Sequence, residues 1–219
     1  GGPFELIDGQ FAPLENVGRV LIVEAEGDLM NSESEQLRRA VDRSDYRVYE
    51  VAGTAHLPTA DNPLDHWRVA RAILVAGDEW IRLGTSPPAS SLIEAAPDGQ
   101  VDPVYNAETG IARDGDLNAK GGVRLPDLYV GRAQFIASDL ATAPGGFTSL
   151  APHTGSTVDL ACEPEPGSEK DEPRFRNHGE YVNAFVRQVN RLQEEGFLLE
   201  ADADVLKLEA AESEVGKPG

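Results

Sequence analysis

Residues 19–28 read Arg19-Val20-Leu21-Ile22-Val23-Glu24-Ala25-Glu26-Gly27-Asp28. Residues 46–56 read Tyr46-Arg47-Val48-Tyr49-Glu50-Val51-Ala52-Gly53-Thr54-Ala55-His56. Each is a short apolar run, rich in β-branched or aromatic residues, that stops at a polar turn. The continuous run 19–23 suits a strand covered on both faces of a parallel sheet better than a half-exposed one. Between the two stretches, Ser32 to Val41 carries Glu33 near its start and Arg38-Arg39 near its end. That charge order complements a helix dipole, so a short helix is predicted there. Strand, acidic turn, helix, strand and histidine turn make a βαβ unit over residues 19–56, with a right-handed crossover expected.

In open α/β sheets, functional groups collect on the loops just past the carboxyl ends of the strands. The first strand here delivers Glu24, Glu26 and Asp28, and the second delivers His56. An acid and a histidine on the tips of neighbouring parallel strands are placed to hydrogen-bond. The carboxylate then fixes the tautomer and stabilises the imidazolium, while the other ring nitrogen serves as general base. The bland alternative is that the acids cap a helix or solvate a turn, and that the histidine is structural.

Outward from this unit, residues 1–18 suit a loop leading into the first strand. Asn62 to Trp80 places Trp67, Ala70, Ile73, Leu74 and Ala76-Gly77 at near-helical spacing, with both tryptophans expected in the core. Residues 84–130 are turn-rich, an irregular excursion or a set of short strands. Cys162 to Pro173 forms a second loop, dense in Glu, Pro, Ser and Gly. Residues 180–211 are a helical end. Tyr181, Phe185, Val189 and Leu192 mark one helix with Gly196 as its C-cap, and Asp202 or Asp204 caps another reaching Ala211. No repeat or linker splits the chain, so residues 1–219 are expected to form a single, partial domain.

The 219 residues carry 19 basic and 38 acidic side chains, a formal charge of -19. A nucleic-acid backbone or an anionic membrane surface would be repelled, so neither is expected as a partner. No apolar run approaches the roughly 20 residues of a membrane span. The one cysteine, Cys162, allows no internal disulfide and no thiolate zinc cage. Asp114, Asp116 and Asn118 share the opening spacing of a calcium loop. However, Ala119 stands where the glycine belongs and Leu125 where the glutamate belongs, which favours a structural turn. His66, His153 and His178 are scattered without metal spacing and suit surface or satisfied core positions. The acidic run from Glu194 to Glu214 reads as a solvated helical face.

The two stretches quoted first resemble the acid-bearing strand and the catalytic-histidine loop of an α/β-hydrolase. Glu50-Val51-Ala52-Gly53-Thr54-Ala55-His56 in particular is similar to one subfamily of hydrolase-domain proteins. The resemblance continues through Pro87-Pro88-Ala89-Ser90, Asn118-Ala119-Lys120-Gly121-Gly122-Val123-Arg124-Leu125-Pro126 and Gly196-Phe197-Leu198-Leu199-Glu200-Ala201-Asp202-Ala203. It implies an α/β fold: the C-terminal part of a parallel hydrolase sheet, with flanking helices and a long irregular region after the histidine loop.

The family order of nucleophile, acid and histidine maps the base to His56 and the acid to Asp28, with Glu26 as the alternative acid. The resemblance implies no cofactor and a small-molecule ester as substrate. No serine in the sequence lies in Gly-x-Ser-x-Gly, the elbow such enzymes need. Gly84-Thr85-Ser86-Pro87-Pro88 comes nearest, but after the histidine and with proline at the last position. The chain is therefore expected to be the C-terminal half of a hydrolase, inactive and marginally soluble without an upstream half of its own polypeptide. An aspartate nucleophile is a variant of this reading. A non-catalytic binding or assembly module on the same scaffold is its rival.

Overall fold

Parallel pairing of the two apolar runs sets the centre of the molecule. The computed structural model describes residues 4–7, 10–13, 18–29, 39, 41–96, 110–137, 154–160 and 174–217. Of the helix expected over Ser32 to Val41, Arg39 is helical and Val41 is not; the rest lies outside the described residues, as do His153 and the loop from Cys162 to Pro173. The chain opens with a hairpin rather than a loop: β1 (Phe4–Ile7) pairs antiparallel with β2 (Gln10–Pro13). Between them the sequence reads Asp8-Gly9, a short-range hairpin signal.

β3 (Val20–Ala25) and β4 (Tyr46–Ala52) run parallel, with Val20 opposite Tyr46 and Ala25 opposite Val51. β5 (Val123–Arg124) adds in parallel to the far side of β4, so the sheet order is β3-β4-β5. Central β4 is buried almost throughout, whereas β3 is half-buried between its ends. The double cover expected of β3 is therefore partial, because neighbours flank β4 on both sides. The segment after residue 84 closes against β4. The Tyr49 hydroxyl donates to Pro88 O at 2.6 Å, and Ser91 bridges Tyr49 in parallel. Single bridges join Ile93 to Gly121, Ala95 to Ile111 and Arg113 to Ala119 before β5 returns to the sheet. α2 (Pro126–Tyr129) then leads into β6 (Ala133–Ile136), which pairs antiparallel with β7 (Ser156–Asp159).

α1 (Trp67–Leu83) starts five residues later than the periodicity places it. Pro63 cannot sit inside a helix, and Thr59 Oγ1 accepts the N–H groups of Asp61 and Asn62 at 3.3 Å in a turn. Its buried face is Val69, Ala72, Ile73, Gly77 and Trp80. Trp80 lies beneath Arg19 and Arg47, whose guanidinium carbons stand 5.2 and 5.6 Å from its ring. Trp67, expected in the core, is 54% exposed, and Leu74 is exposed as well. The phase differs because the helix carries apolar residues on two faces. The face with the small residue wins: a Cβ on Gly77 would stand 2.5 Å from Leu21 Cδ1 on β3.

α3 (His178–Glu194) follows the predicted stripe, burying Tyr181, Phe185, Val189 and Leu192. Asn177 caps it by accepting the Glu180 N–H at 2.9 Å. Gly196 closes it at φ 84°, with the Phe197 N–H donating to Leu192 O at 2.8 Å. α4 (Glu200–Glu212) has Leu199 at its N-cap rather than Asp202 or Asp204. Those two acids lie inside the helix, and Glu200 and Asp202 sit in its first turn, where they complement the dipole. The acidic run also does more than solvate. Arg71 pairs with Asp202 at 2.5 Å and Arg68 with Glu209 at 3.1 Å, clasping α4 to α1. Among the described residues no helix is long and apolar enough to cross a membrane.

Candidate active site

Parallel register brings the carboxyl ends of β3 and β4 to one level, so the turns beyond them meet. A 3-10 turn, Glu26–Asp28, follows β3. One backbone–backbone bond and one backbone-to-side-chain bond tie it to Thr54 of the histidine loop. The Gly27 N–H donates to Thr54 O at 2.9 Å, and the Glu26 N–H to Thr54 Oγ1 at 3.3 Å. The Thr54 hydroxyl in turn donates to Val51 O at 2.6 Å. Residue 27 must be glycine for this approach: a Cβ there would stand 2.8 Å from Ala137 O and 3.1 Å from His56 N. Gly53 makes the turn after β4 at φ 75°, a conformation that strains any residue with a Cβ. Asn62 anchors the loop from behind, donating to Gly53 O at 2.9 Å and Ile136 O at 3.2 Å.

The two candidate acids have different partners. Asp28 Oδ1 accepts from His56 Nδ1 at 2.5 Å, and its Oδ2 accepts the Ala25 N–H at 3.1 Å. The His56 side chain is half-exposed. Glu26, two residues earlier, is buried, its Oε2 accepting the Gly53 N–H and its Oε1 the Arg113 Nη1, both at 2.6 Å. Arg113 is itself 5% exposed. Glu26 therefore braces the turn that presents His56. Glu24 lies within β3, opposite Glu50, rather than in the turn beyond it.

Several residues of this setting carry no catalytic signature in the sequence. Arg113 and Asn62 are distant or unremarkable by pattern, and Thr54 reads as part of a stop signal. Glu50, mid-strand, is buried, and its carboxylate accepts Arg39 at 2.6 and 2.7 Å and the Ile93 N–H at 2.7 Å. A charged residue inside an apolar run is the one available hint, since a buried charge needs partners.

The other candidate residues bond within the chain. Asp114 Oδ1 accepts the Asp116 and Asn118 N–H groups at 3.0 Å, and its other oxygen pairs with Arg124. Asp116 pairs with Arg174 at 2.5 Å, and Asn118 bonds the backbone of Ala133 and Phe135 at 2.8 Å each. Among the described residues no group of three His, Cys, Asp or Glu side chains is placed to hold a metal ion. The His178 ring nitrogens lie 2.8 Å from Val215 O and 3.0 Å from Ala211 O, pinning the C-terminal segment to α3.

His66 precedes α1 and is 6% exposed. Burial, the largest influence, lowers its pKa below the ordinary histidine value, against the pull of Asp28 and Asp65. The unfolded chain therefore takes up this proton at a higher pH than the folded one. The stability linked to His66 is complete above about pH 6.5 and declines as pH falls below it, at up to about 1.4 kcal/mol per pH unit. Urea unfolding at pH 7.5 and 5.5 is expected to show a smaller acid loss in His66→Gln than in the parent. Equal losses would contradict it.

A family model described as "Alpha/beta hydrolase domain" matches residues 58–207, more than half of the chain. The match opens just after His56, so the acid–histidine unit lies outside it. Neither a curated protein nor a solved structure matches the chain. The parallel three-stranded sheet with flanking helices agrees with the match, and the chain belongs to the alpha/beta hydrolase domain family, with the hydrolase-type scaffold that this entails.

Proposed function

We propose that this chain supplies the acid and the histidine of a serine-type hydrolase acting on carboxylic esters. The observation that carries the reading is the 2.5 Å contact between Asp28 Oδ1 and His56 Nδ1 on the tips of adjacent parallel strands. Asp28 holds the ring so that Nδ1 keeps its proton and Nε2 presents a lone pair. Nε2 takes the proton of a serine hydroxyl as the serine oxygen attacks the ester carbonyl. It then returns that proton to the departing alkoxide, leaving an acyl-enzyme. Water, deprotonated by the same nitrogen, attacks the acyl carbon, and the carboxylic acid leaves with the serine restored. Glu26 is a positioning residue in this scheme. The serine sits on an elbow that these 219 residues do not contain, so the chain on its own is expected to be inactive.

The full product of the gene that encodes this chain is the material for the test. A fluorophosphonate probe is expected to label one serine, and His56→Ala to slow that labelling by at least about 100-fold. Labelling that proceeds equally in His56→Ala would remove His56 from the chemistry. No labelled serine and no ester turnover would leave the pair as part of a non-catalytic module.

A further inference from the structure

The amino-terminal ends of β3 and β4, at the opposite end of the sheet from Asp28 and His56, carry two arginines. Arg47 stands opposite Leu21 in the parallel register, and Arg19 precedes Leu21 by two residues. Period-two alternation therefore places all three side chains on one face. Leu21 meets Gly77 of α1, so this is the face that α1 covers. Trp80, almost one turn after Gly77, is buried there, with the Arg19 and Arg47 guanidinium carbons 5.2 and 5.6 Å from its ring centre. Each guanidinium is also held by a backbone carbonyl. Arg19 Nη1 donates to Trp80 O, and Arg47 Nη1 to Tyr46 O at 2.8 Å.

What the two arginines lack is an acid. The chain has twice as many acidic as basic side chains. Among the described residues every other arginine except Arg187 forms an ion pair with a carboxylate. Arg19 and Arg47 form none. Asp45, the acid that feels the Arg19 charge, is bound to Arg43 at 2.7 Å, and Asp78, on the same helix as Trp80, to Arg82 at 3.4 Å. Arg47 Nε is buried without a hydrogen-bond partner, a condition rare enough in folded proteins to need a cause. One guanidinium over an indole is attracted by the ring. A second beside it adds repulsion between like charges, and an anion between them would cancel that repulsion.

We propose that Arg19 and Arg47 form a binding site for a phosphate-type dianion, seated between the two guanidiniums at the start of the β3–β4 pair. Two unopposed positive charges match two negative ones. The planar forks of guanidinium groups fit the oxygens of a tetrahedral oxyanion. Both side chains are already fixed by a carbonyl and by the Trp80 ring, so binding orders little that is free. A compact anion suits the site better than a nucleic acid, which the charge of -19 on the whole chain repels.

The probe is inorganic phosphate, and the material is the full product of the gene. Equilibrium dialysis at low ionic strength and about pH 8, where phosphate is mainly the dianion, is expected to show one saturable site per chain in the millimolar range. The net negative charge keeps anions from the rest of the surface, so saturation at one ion identifies a single cradle. Arg19→Gln and Arg47→Gln are each expected to weaken binding by more than about tenfold, because each removes a charge-assisted contact. Arg19 is exposed at a strand end, so Arg19→Gln keeps the test open where Arg47→Gln fails to fold, and circular dichroism checks both. Neither variant is expected to alter serine labelling by the fluorophosphonate probe, which separates this result from that of the catalytic proposal. No saturable binding in the millimolar range overturns the proposal, as does binding that both substitutions leave unchanged. A parent that binds no phosphate yet loses stability in Arg19→Gln overturns it too, since an acid elsewhere in the polypeptide would then occupy the place.

Discussion

Asp28→Asn is expected to lower kcat/KM of the full gene product on p-nitrophenyl esters by about 10³- to 10⁴-fold, with little change in thermal stability. The size of the loss follows from the geometry. In the parent, one carboxylate oxygen accepts the Ala25 N–H and the other accepts from His56 Nδ1. Asparagine has only one acceptor oxygen. If that oxygen stays with Ala25, the amide NH2 faces Nδ1 and demands a lone pair there. The ring proton then moves to Nε2, the atom that must receive the serine proton, and the base is lost while the fold is kept. The side chain lies near the surface, so the exchange leaves no buried charge behind. Steady-state kinetics beside a thermal melt decide the matter. An Asp28→Asn enzyme with most of its activity would move the role of acid elsewhere.

Glu26→Gln is expected to do the reverse, costing about 3–5 kcal/mol of stability while the folded fraction keeps a kcat close to that of the parent. Glutamine still offers an oxygen to the Gly53 N–H, which Glu26 Oε2 accepts at 2.6 Å. It cannot neutralise Arg113, whose side chain is 5% exposed and 2.6 Å from Glu26 Oε1. Removing one member of a buried ion pair leaves the other charge desolvated against a neutral neighbour, which is why the cost exceeds that of an ordinary hydrogen bond. Against a typical domain stability of about 5–15 kcal/mol the loss is large. The double variant Glu26→Gln/Arg113→Met removes the buried guanidinium as well and retains most of the apolar stem, so it is expected to recover part of the loss. Urea unfolding of the three variants measures this coupling. A loss below about 1 kcal/mol for Glu26→Gln would show that the pair is not stabilising.

The opposite outcomes expected of two acids in one short turn show how far local pattern reaches. Glu26 and Asp28 have similar chemistry and sit two positions apart after the same strand. No periodicity, propensity or turn rule tells them apart. They are separated by Arg113, which is 87 residues away along the chain and reaches Glu26 only once the bridged excursion has folded back. Helix α1 teaches the same lesson about burial. Its apolar residues fall on two faces, and the approach of Leu21 at Gly77, rather than hydrophobicity, chooses which one meets the sheet. Hence Trp80 is buried and Trp67 is not.

The sequence by itself determined the parallel β3–β4 pair, the polar turns at the strand ends, the presence of an acid and a histidine on them, and the buried stripe of α3. All of these rest on spacing within one element, or on the order of adjacent elements, and such information is local. Tertiary structure alone decided which acid meets His56, which face of α1 is covered, and where the acidic residues of α4 find their arginines. Those outcomes depend on ion pairs and close approaches between segments far apart in the chain. Their energies exist only after packing has excluded water and fixed the distances, so no window of neighbouring residues contains them.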